Sequence, residues 1–94
     1  MDPEYIVFVM PPKGVDAEPF DIPEWEYDAA VGTASRYRER SWQACIIDYG
    51  TPFAPWLAKR PGGQVIGVMA RTCDEACIRA RAISEDYDGF QRED

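Results

Sequence analysis

The 94-residue sequence contains no histidine, and this absence removes many kinds of active site. Serine and cysteine nucleophiles activated by histidine, histidine general bases and most zinc sites all need that side chain. A pair of carboxylates could still perform acid–base chemistry. With seventeen acidic residues, some pair lies close by chance, so such a pair indicates little. We therefore expect a protein that is not an enzyme and that needs no metal and no cofactor.

Cysteine is scarce, and long apolar runs are missing. The three cysteines, Cys45, Cys73 and Cys77, are an odd number without the spacing of a disulfide framework, which favours a reducing compartment. We interpret all three as buried small hydrophobic residues rather than metal ligands. No apolar run approaches the about 20 residues that span a bilayer. The N-terminal stretch MDPEYIVFVMPPK has an acidic flank and no small-residue cleavage site, unlike a signal peptide, so we expect an intact cytoplasmic protein.

Basic residues are outnumbered ten to seventeen, which gives a net charge of −7. Direct binding to nucleic acid or to an anionic membrane needs a basic surface, so we expect neither as a partner. The charge is also uneven, because residues 1–30 carry eight acidic residues and one basic residue. Residues 31–60 carry five basic and two acidic residues. Residues 85–94 carry five acidic residues and one basic residue. The acidic character is therefore concentrated at the two ends of the chain, and the basic residues lie in the middle.

Apolar runs and turn residues predict an α+β fold in a single domain, residues 1–94. Strands are expected at Tyr5–Met10, Trp42–Tyr49, Pro55–Lys59 and Gln64–Ala70. With two helices, the predicted order is β-α-β-β-β-α, and no internal repeat is evident. Short connections among the last three strands indicate an antiparallel sheet. The helices carry stripes of small residues, so both are expected to pack on one face of that sheet.

The first helix is predicted by capping signals within an acidic stretch. Asp21 is a suitable N-cap, Pro23 suits the first turn, and Glu24 lies where the helix dipole favours negative charge. The helix is therefore expected to begin between Asp21 and Glu24. Its packed face is expected to comprise the residues at helical spacing, Tyr27, Ala30, Val31, Ala34 and Tyr37.

The last helix is predicted by a capping box formed by Thr72 and Glu75. Glu75 is also expected to pair with Arg79 on the outer face of this helix. The helix is expected to end near Asp86, and residues 88–94 to form a polar acidic tail. Its apolar stripe is expected to comprise Cys73, Ala76, Cys77, Ala80, Ile83 and Tyr87.

The stretch DAEPFDIPEWEYD, residues 16–28, holds six carboxylates, four large apolar side chains and no basic residue. It begins in a long acidic connection, residues 13–23. One hypothesis is a solvated loop that leads into a helix, which explains the second half of the stretch better than the first. The other is a surface bound by a protein partner, where carboxylates supply charge and tryptophan an apolar anchor. Its candidate residues are Asp16, Glu18, Phe20, Asp21, Glu24, Trp25, Glu26 and Asp28.

Two resemblances bear on function. Residues 24–86 follow the order α-β-β-β-α, which resembles the double-stranded-RNA-binding domain in topology. The basic cluster of that family is replaced here by the acidic TCDEA of residues 72–76, so RNA binding does not carry over. In size, acidity and lack of catalytic residues, the chain resembles small acidic inhibitors made by phages and mobile elements, including anti-CRISPR proteins. That resemblance implies an inhibitor that acts in the host cytoplasm on a basic, nucleic-acid-binding protein, by occlusion or DNA mimicry.

Two alternatives stay open. The chain could be a structural or accessory subunit, or a homodimer, with an aromatic interface formed by Trp25, Trp42, Phe53 and Trp56. It could also be a small enzyme that uses two carboxylates in a deep pocket. A stable dimer in light scattering favours the structural alternative over the inhibitor. Under the inhibitor hypothesis, binding is expected to be abolished by lysine at Asp16, Glu18, Glu24 and Glu26.

Overall fold

A computed structural model describes residues 1–59, 62–83 and the backbone of 89–92. These residues form six strands and two helices. The bounds are β1 Tyr5–Met10, β2 Phe20–Glu24, α1 Tyr27–Glu39, β3 Gln43–Asp48, β4 Ala54–Lys59, β5 Val65–Ala70, α2 Cys73–Ile83 and β6 Gly89–Arg92. All strand pairs are antiparallel. The predicted α+β class, the antiparallel pairing and the order of the six predicted elements are confirmed, and β2 and β6 are additional strands.

The chain divides into two compact units, Met1–Thr51 and Pro52–Asp94. The first unit contains a three-stranded sheet in the order β2-β1-β3, and the second a three-stranded sheet in the order β5-β4-β6. Each unit has one of the two helices. One domain with a single sheet that carries both helices was predicted, whereas the strands form two sheets and each sheet packs against one helix.

The core of the first unit lies between α1 and its sheet. It is formed by Val7, Val9, Ala30, Ala34 and Ala44, all of them buried. The two helix alanines are one turn apart, so they lie on the same side of α1. Because alanine side chains are small, they let the helix backbone approach the sheet closely. Larger side chains, including those of Tyr37 and Trp42, pack around this centre.

The first helix begins later than its capping signals predict. It starts at Tyr27 with Glu26 in the N-cap position, and both Asp21 and Pro23 lie in β2. The prediction was wrong because pairing with β1, a contact distant in sequence, outweighs the local capping signals. Proline is tolerated in β2 because an edge strand can turn the missing amide away from the sheet. Tyr27 and Val31, predicted to lie on the packed face of the helix, are exposed.

The second unit has a core of the same kind between α2 and its sheet. It is formed by Ala58, Val68, Ala70, Ala76 and Ala80. Gly89–Arg92, within the stretch predicted as a polar tail, pairs with β4 as strand β6. The predicted helix end near Asp86 and the predicted stripe residue Tyr87 fall outside the described residues.

The two units repeat one topology, ββαβ, with the first strand at the centre of the sheet. Three element boundaries recur 46 positions apart, namely Glu24 and Ala70, Tyr27 and Cys73, and Gln43 and Gly89. Within the two helices, over Cys73–Ile83, three residues also recur at this offset, Asp28 as Asp74, Ala30 as Ala76 and Ala34 as Ala80. The chain therefore contains an internal structural repeat, contrary to the prediction, and the repeat is not evident in the sequence because so few side chains are shared.

The cysteines are only partly placed as predicted. Cys45 is buried in β3 and Cys77 is partly buried, but Cys73 is exposed. The prediction for Cys73 was wrong because this residue is the first of α2, and burial within the helix begins only at Glu75 and Ala76. Partial burial, and then the neighbouring Cys77 thiol, raise the pKa of the Cys73 thiol above its ordinary value of 9.0. Within the described part of the chain, no cluster of three or more acidic, cysteine or histidine residues could hold a metal ion.

No helix among the described residues is long and apolar enough to cross a membrane.

Candidate protein-interaction surface

The acidic segment, defined as residues 16–28, runs through three kinds of structure. Residues 16–19 belong to an irregular connection, residues 20–24 form the edge strand β2, and the remainder enters the first turn of α1. Seven of the eight candidate residues are exposed, and Glu24 is partly buried. The segment is therefore an accessible surface along one edge of the first unit.

Four carboxylates of this segment, those of Asp16, Glu18, Glu26 and Asp28, are exposed. Among the residues that the structure describes, their side chains make no hydrogen bond and no ion pair. Glu26 occupies the N-cap position of α1, yet its side chain does not cap the helix. Asp28, in the first turn, and Glu26, at the N-cap position, both lie where the helix dipole favours negative charge. Helix formation therefore does not account for the carboxylates of Asp16 and Glu18.

Glu24 has a structural role instead. Its carboxylate accepts a hydrogen bond from the hydroxyl of Thr33, which is buried in α1. The Arg36 guanidinium donates to the same hydroxyl oxygen over 3.0 Å. These bonds tie the end of β2 to the second turn of the helix. No sequence pattern indicates this link, because Glu24 and Thr33 lie in different elements.

Phe20 lies at the start of β2 within an aromatic cluster. Its ring meets the rings of Tyr37 and Trp42 edge-on, each with centroids 6.0 Å apart. Tyr37 and Trp42 also contact each other at 5.3 Å, and the Arg40 guanidinium lies 5.6 Å from the Tyr37 ring centroid. Phe20 remains 44% exposed. The cluster therefore holds a partly exposed aromatic ring in one orientation, which is a property of apolar anchors in interfaces.

Trp25 lies at the other end of β2. Its indole N–H donates a hydrogen bond of 3.2 Å to the carbonyl oxygen of Met1, and the side chain remains 47% exposed. Nearby in sequence, Tyr27 packs edge-on against Tyr5 with centroids 5.6 Å apart. The edge strand thus has an oriented, half-exposed aromatic side chain at each end, with carboxylates between and beside them.

The first unit is strongly acidic as a whole. Met1–Thr51 carries ten acidic and four basic residues, a net charge of −6. The arginines near the end of α1 make contacts within the unit, since Arg38 donates a 2.8 Å hydrogen bond to the Ala44 carbonyl and Arg40 lies over Tyr37. Such a charge distribution attracts a basic partner and speeds its association.

The aromatic residues of the alternative interface are unequally exposed. Trp25 and Phe53 are about half exposed, whereas Trp42 and Trp56 are partly buried. Trp42 belongs to the aromatic cluster around Phe20, and the Trp56 indole donates a 3.0 Å hydrogen bond to the Ala70 carbonyl. Two of the four side chains are therefore largely engaged within the fold.

A buried carboxylate lies in the second unit, at Glu75. It was predicted on the outer face of α2, but it is fully buried and paired with Arg71 and Arg79, each at 2.9 Å. The capping box is half formed, because the Glu75 amide donates to the Thr72 hydroxyl over 3.2 Å. The Glu75 carboxylate instead accepts from the Arg71 amide over 2.8 Å. The outer-face prediction was wrong because the flanking arginines supply enough donors to bury this charge.

Burial alone would raise the pKa of Glu75, but the hydrogen bonds from Arg71 and Arg79 outweigh it and hold that pKa below its ordinary value of 4.5. Glu75 therefore stays ionised at neutral pH and has no proton to donate as a general acid. Its geometry is that of a structural ion pair.

Comparison with protein-family models, with curated proteins and with solved structures found no match to this chain.

Proposed function

We propose that this protein binds a partner protein with a basic surface through its acidic segment and thereby blocks nucleic acid from that surface. The observation that carries the proposal is the set of exposed carboxylates at Asp16, Glu18 and Glu26, which have no role in capping or pairing within the fold. Carboxylates held along a surface can take the positions of DNA phosphates in a basic channel. Phe20 and Trp25 supply the apolar contacts beside them.

The proposed partner is a nucleic-acid-binding protein of the cytoplasm. Such proteins carry basic clefts that attract phosphate, and the same attraction draws an acidic competitor. Surface charge attraction is screened over about 10 Å at 0.1 M salt, so binding should weaken steeply as salt rises. Complementary charge also orients the two proteins before contact, which favours occlusion of the nucleic-acid site.

The test uses two variants with the same change in charge. One carries lysine at Asp16, Glu18 and Glu26, and the control carries lysine at Asp2, Glu4 and Glu39, which are exposed acidic residues of the same unit. Glu24 is left unchanged because it bonds Thr33, so reversing it would disturb the fold. Circular dichroism verifies that both variants fold.

Each protein is immobilised and exposed to lysate of the cells in which the chain is expressed. Wild type and control should retain nucleic-acid-binding proteins that are released by added duplex DNA or by salt of about 0.5 M. The segment variant should retain none of them. Equal capture by both variants would remove the segment from the mechanism, and capture that duplex DNA does not displace would refute competition for a nucleic-acid site.

A further inference from the structure

β5 is an edge strand without the features that usually protect a sheet edge. Among the described residues it pairs only with β4, so alternate residues of β5 turn their amide and carbonyl groups away from the sheet. Its sequence, VIGVMA, contains no charged residue and no proline. On the face opposite α2, Val65 is 56% exposed and Met69 54% exposed, with the exposed Gly67 between them. Long apolar edges of this kind tend to pair with another strand.

The internal repeat provides a direct comparison with β2, the equivalent edge strand of the first unit. At the offset of 46 positions, Asp21 corresponds to Gly67 and Pro23 to Met69. Charge and proline are two common means of blocking an edge strand. The first unit has both on its edge strand, and the second unit has glycine and methionine in their places. The edge of β5 therefore lacks the charge and the proline that block the edge of β2.

We propose that β5 pairs antiparallel with β5 of a second copy of this chain, about a two-fold axis that passes through Gly67. This pairing joins the two three-stranded sheets of the second units into one six-stranded sheet. It makes the chain a homodimer through a surface that lies outside the acidic segment.

This register matches the exposed side chains of β5. Val65 lies opposite the partner's Met69, and Met69 lies opposite the partner's Val65. Each half-exposed apolar side chain is therefore covered by one apolar side chain of the other copy. Gly67 faces its own counterpart at the axis, where the absence of a side chain leaves room for close approach. The axis stands perpendicular to the sheet, because only that symmetry keeps directly opposed residues on the same face.

The charge of the second unit permits this contact. Pro52–Asp94 carries seven acidic and six basic residues, whereas the first unit has a net charge of −6. Two whole chains of net charge −7 repel each other, and salt screens that repulsion. The dimer should therefore strengthen with salt. Partner binding by the acidic segment weakens with salt, so the two proposals respond in opposite directions and can fail separately.

The first test measures mass by light scattering and sedimentation from about 10 μM to about 1 mM, a range suited to a small interface. Wild type should become dimeric within this range, at lower concentration in higher salt. Lysine at both Val65 and Met69 should leave a monomer throughout. The matched control places lysine at Val15 and Val31, exposed apolar residues of the first unit, and should dimerise like wild type.

The second test reads the register with single cysteines, in chains where the exposed Cys73 is replaced by serine. A Cβ at Gly67 would lie 3.9 Å from the nearest atom, Leu57 Cδ2, so Gly67→Cys fits the fold. Opposed residues across an antiparallel pair have Cα atoms about 4.5–5.5 Å apart, within disulfide range. Two copies of Val65→Cys would be separated by four residues along the strands, about 13 Å, which is too far.

Oxidised glutathione should therefore cross-link Gly67→Cys into a disulfide-linked dimer and leave Val65→Cys unlinked, as read by non-reducing mass spectrometry. Three results would overturn the proposal. They are a wild type that stays monomeric at every concentration, a dimer that persists in the double-lysine variant, and equal cross-linking of the two cysteine variants.

Discussion

Replacing Glu75 with glutamine should lower the free energy of unfolding of the second unit by about 3 kcal/mol. The buried carboxylate accepts hydrogen bonds of 2.8–2.9 Å from the Arg71 amide, from Nε and Nη2 of Arg71, and from Nε of Arg79. Glutamine keeps the shape but removes the negative charge, and its amide turns a donor toward a guanidinium. Removing one partner of a buried ion pair costs about 3–5 kcal/mol. The Arg79 side chain is 30% exposed and regains water, which favours the lower end of this range.

The loss of stability in the Glu75→Gln variant should depend on pH in a defined direction. The pKa of Glu75 is lower in the folded protein than its ordinary value, despite the burial that raises it, because Arg71 and Arg79 donate hydrogen bonds to the carboxylate. A lowered pKa contributes stability that is fully present above the unfolded value, 4.5, and is lost as pH falls through the folded value. Wild type and the Glu75→Gln variant should therefore converge in stability at low pH.

The measurement is urea unfolding at pH 7 and at pH 3, in chains with phenylalanine at Trp25 and Trp42. Emission then comes from Trp56, which lies in the second unit. Glu39→Gln, at an exposed residue of the first unit, is the control and should change stability by less than about 0.5 kcal/mol. A Glu75→Gln variant as stable as this control at pH 7 would refute the reasoning. The reasoning would also be refuted if Glu75→Gln were destabilised relative to wild type by as much at pH 3 as at pH 7.

Two further predictions concern single side chains. Thr33→Val removes the hydroxyl between Glu24 and Arg36 and should cost about 1–2 kcal/mol in urea unfolding; an equal loss in the exposed control Ser35→Ala would contradict a role for that hydroxyl. Cys73 should be alkylated by iodoacetamide at pH 8 more slowly than a free cysteine, because its pKa is raised and the thiolate is the reactive form. Cys77→Ala should speed this reaction, as followed by mass spectrometry, and a Cys73 as reactive as free cysteine would contradict the raised pKa.

Several elements were predictable from local sequence because their signals are strong. The unbroken apolar run of Tyr5–Met10 is β1 with the same bounds. Gly50 and Pro52 set the predicted end of β3 at Tyr49, close to its observed end at Asp48. Thr72 caps α2 through the bond that its spacing from Glu75 indicates.

The remaining elements depend on contacts that are distant in sequence. The local sequence of β2 predicts the start of a helix, because proline and acidic residues favour one. The segment is a strand because it pairs with β1. β6 lies in a polar stretch and is a strand through its pairing with β4. The same limit applies to the candidate site. Its exposed carboxylates are visible as a charge pattern, but the structural role of Glu24 depends on Thr33 in the next element.

The order of the repeat has a consequence for synthesis of the chain. All strands and the helix of the first unit lie within Met1–Thr51, so its core can form before the second unit has folded. Domains generally fold from the N-terminus during synthesis at about 5–20 residues per second, which leaves the early unit alone for seconds. Its edge strand β2 is blocked during that time by Pro23 and by the charge of Asp21. Nascent chains growing side by side on one messenger RNA should therefore not pair through β2.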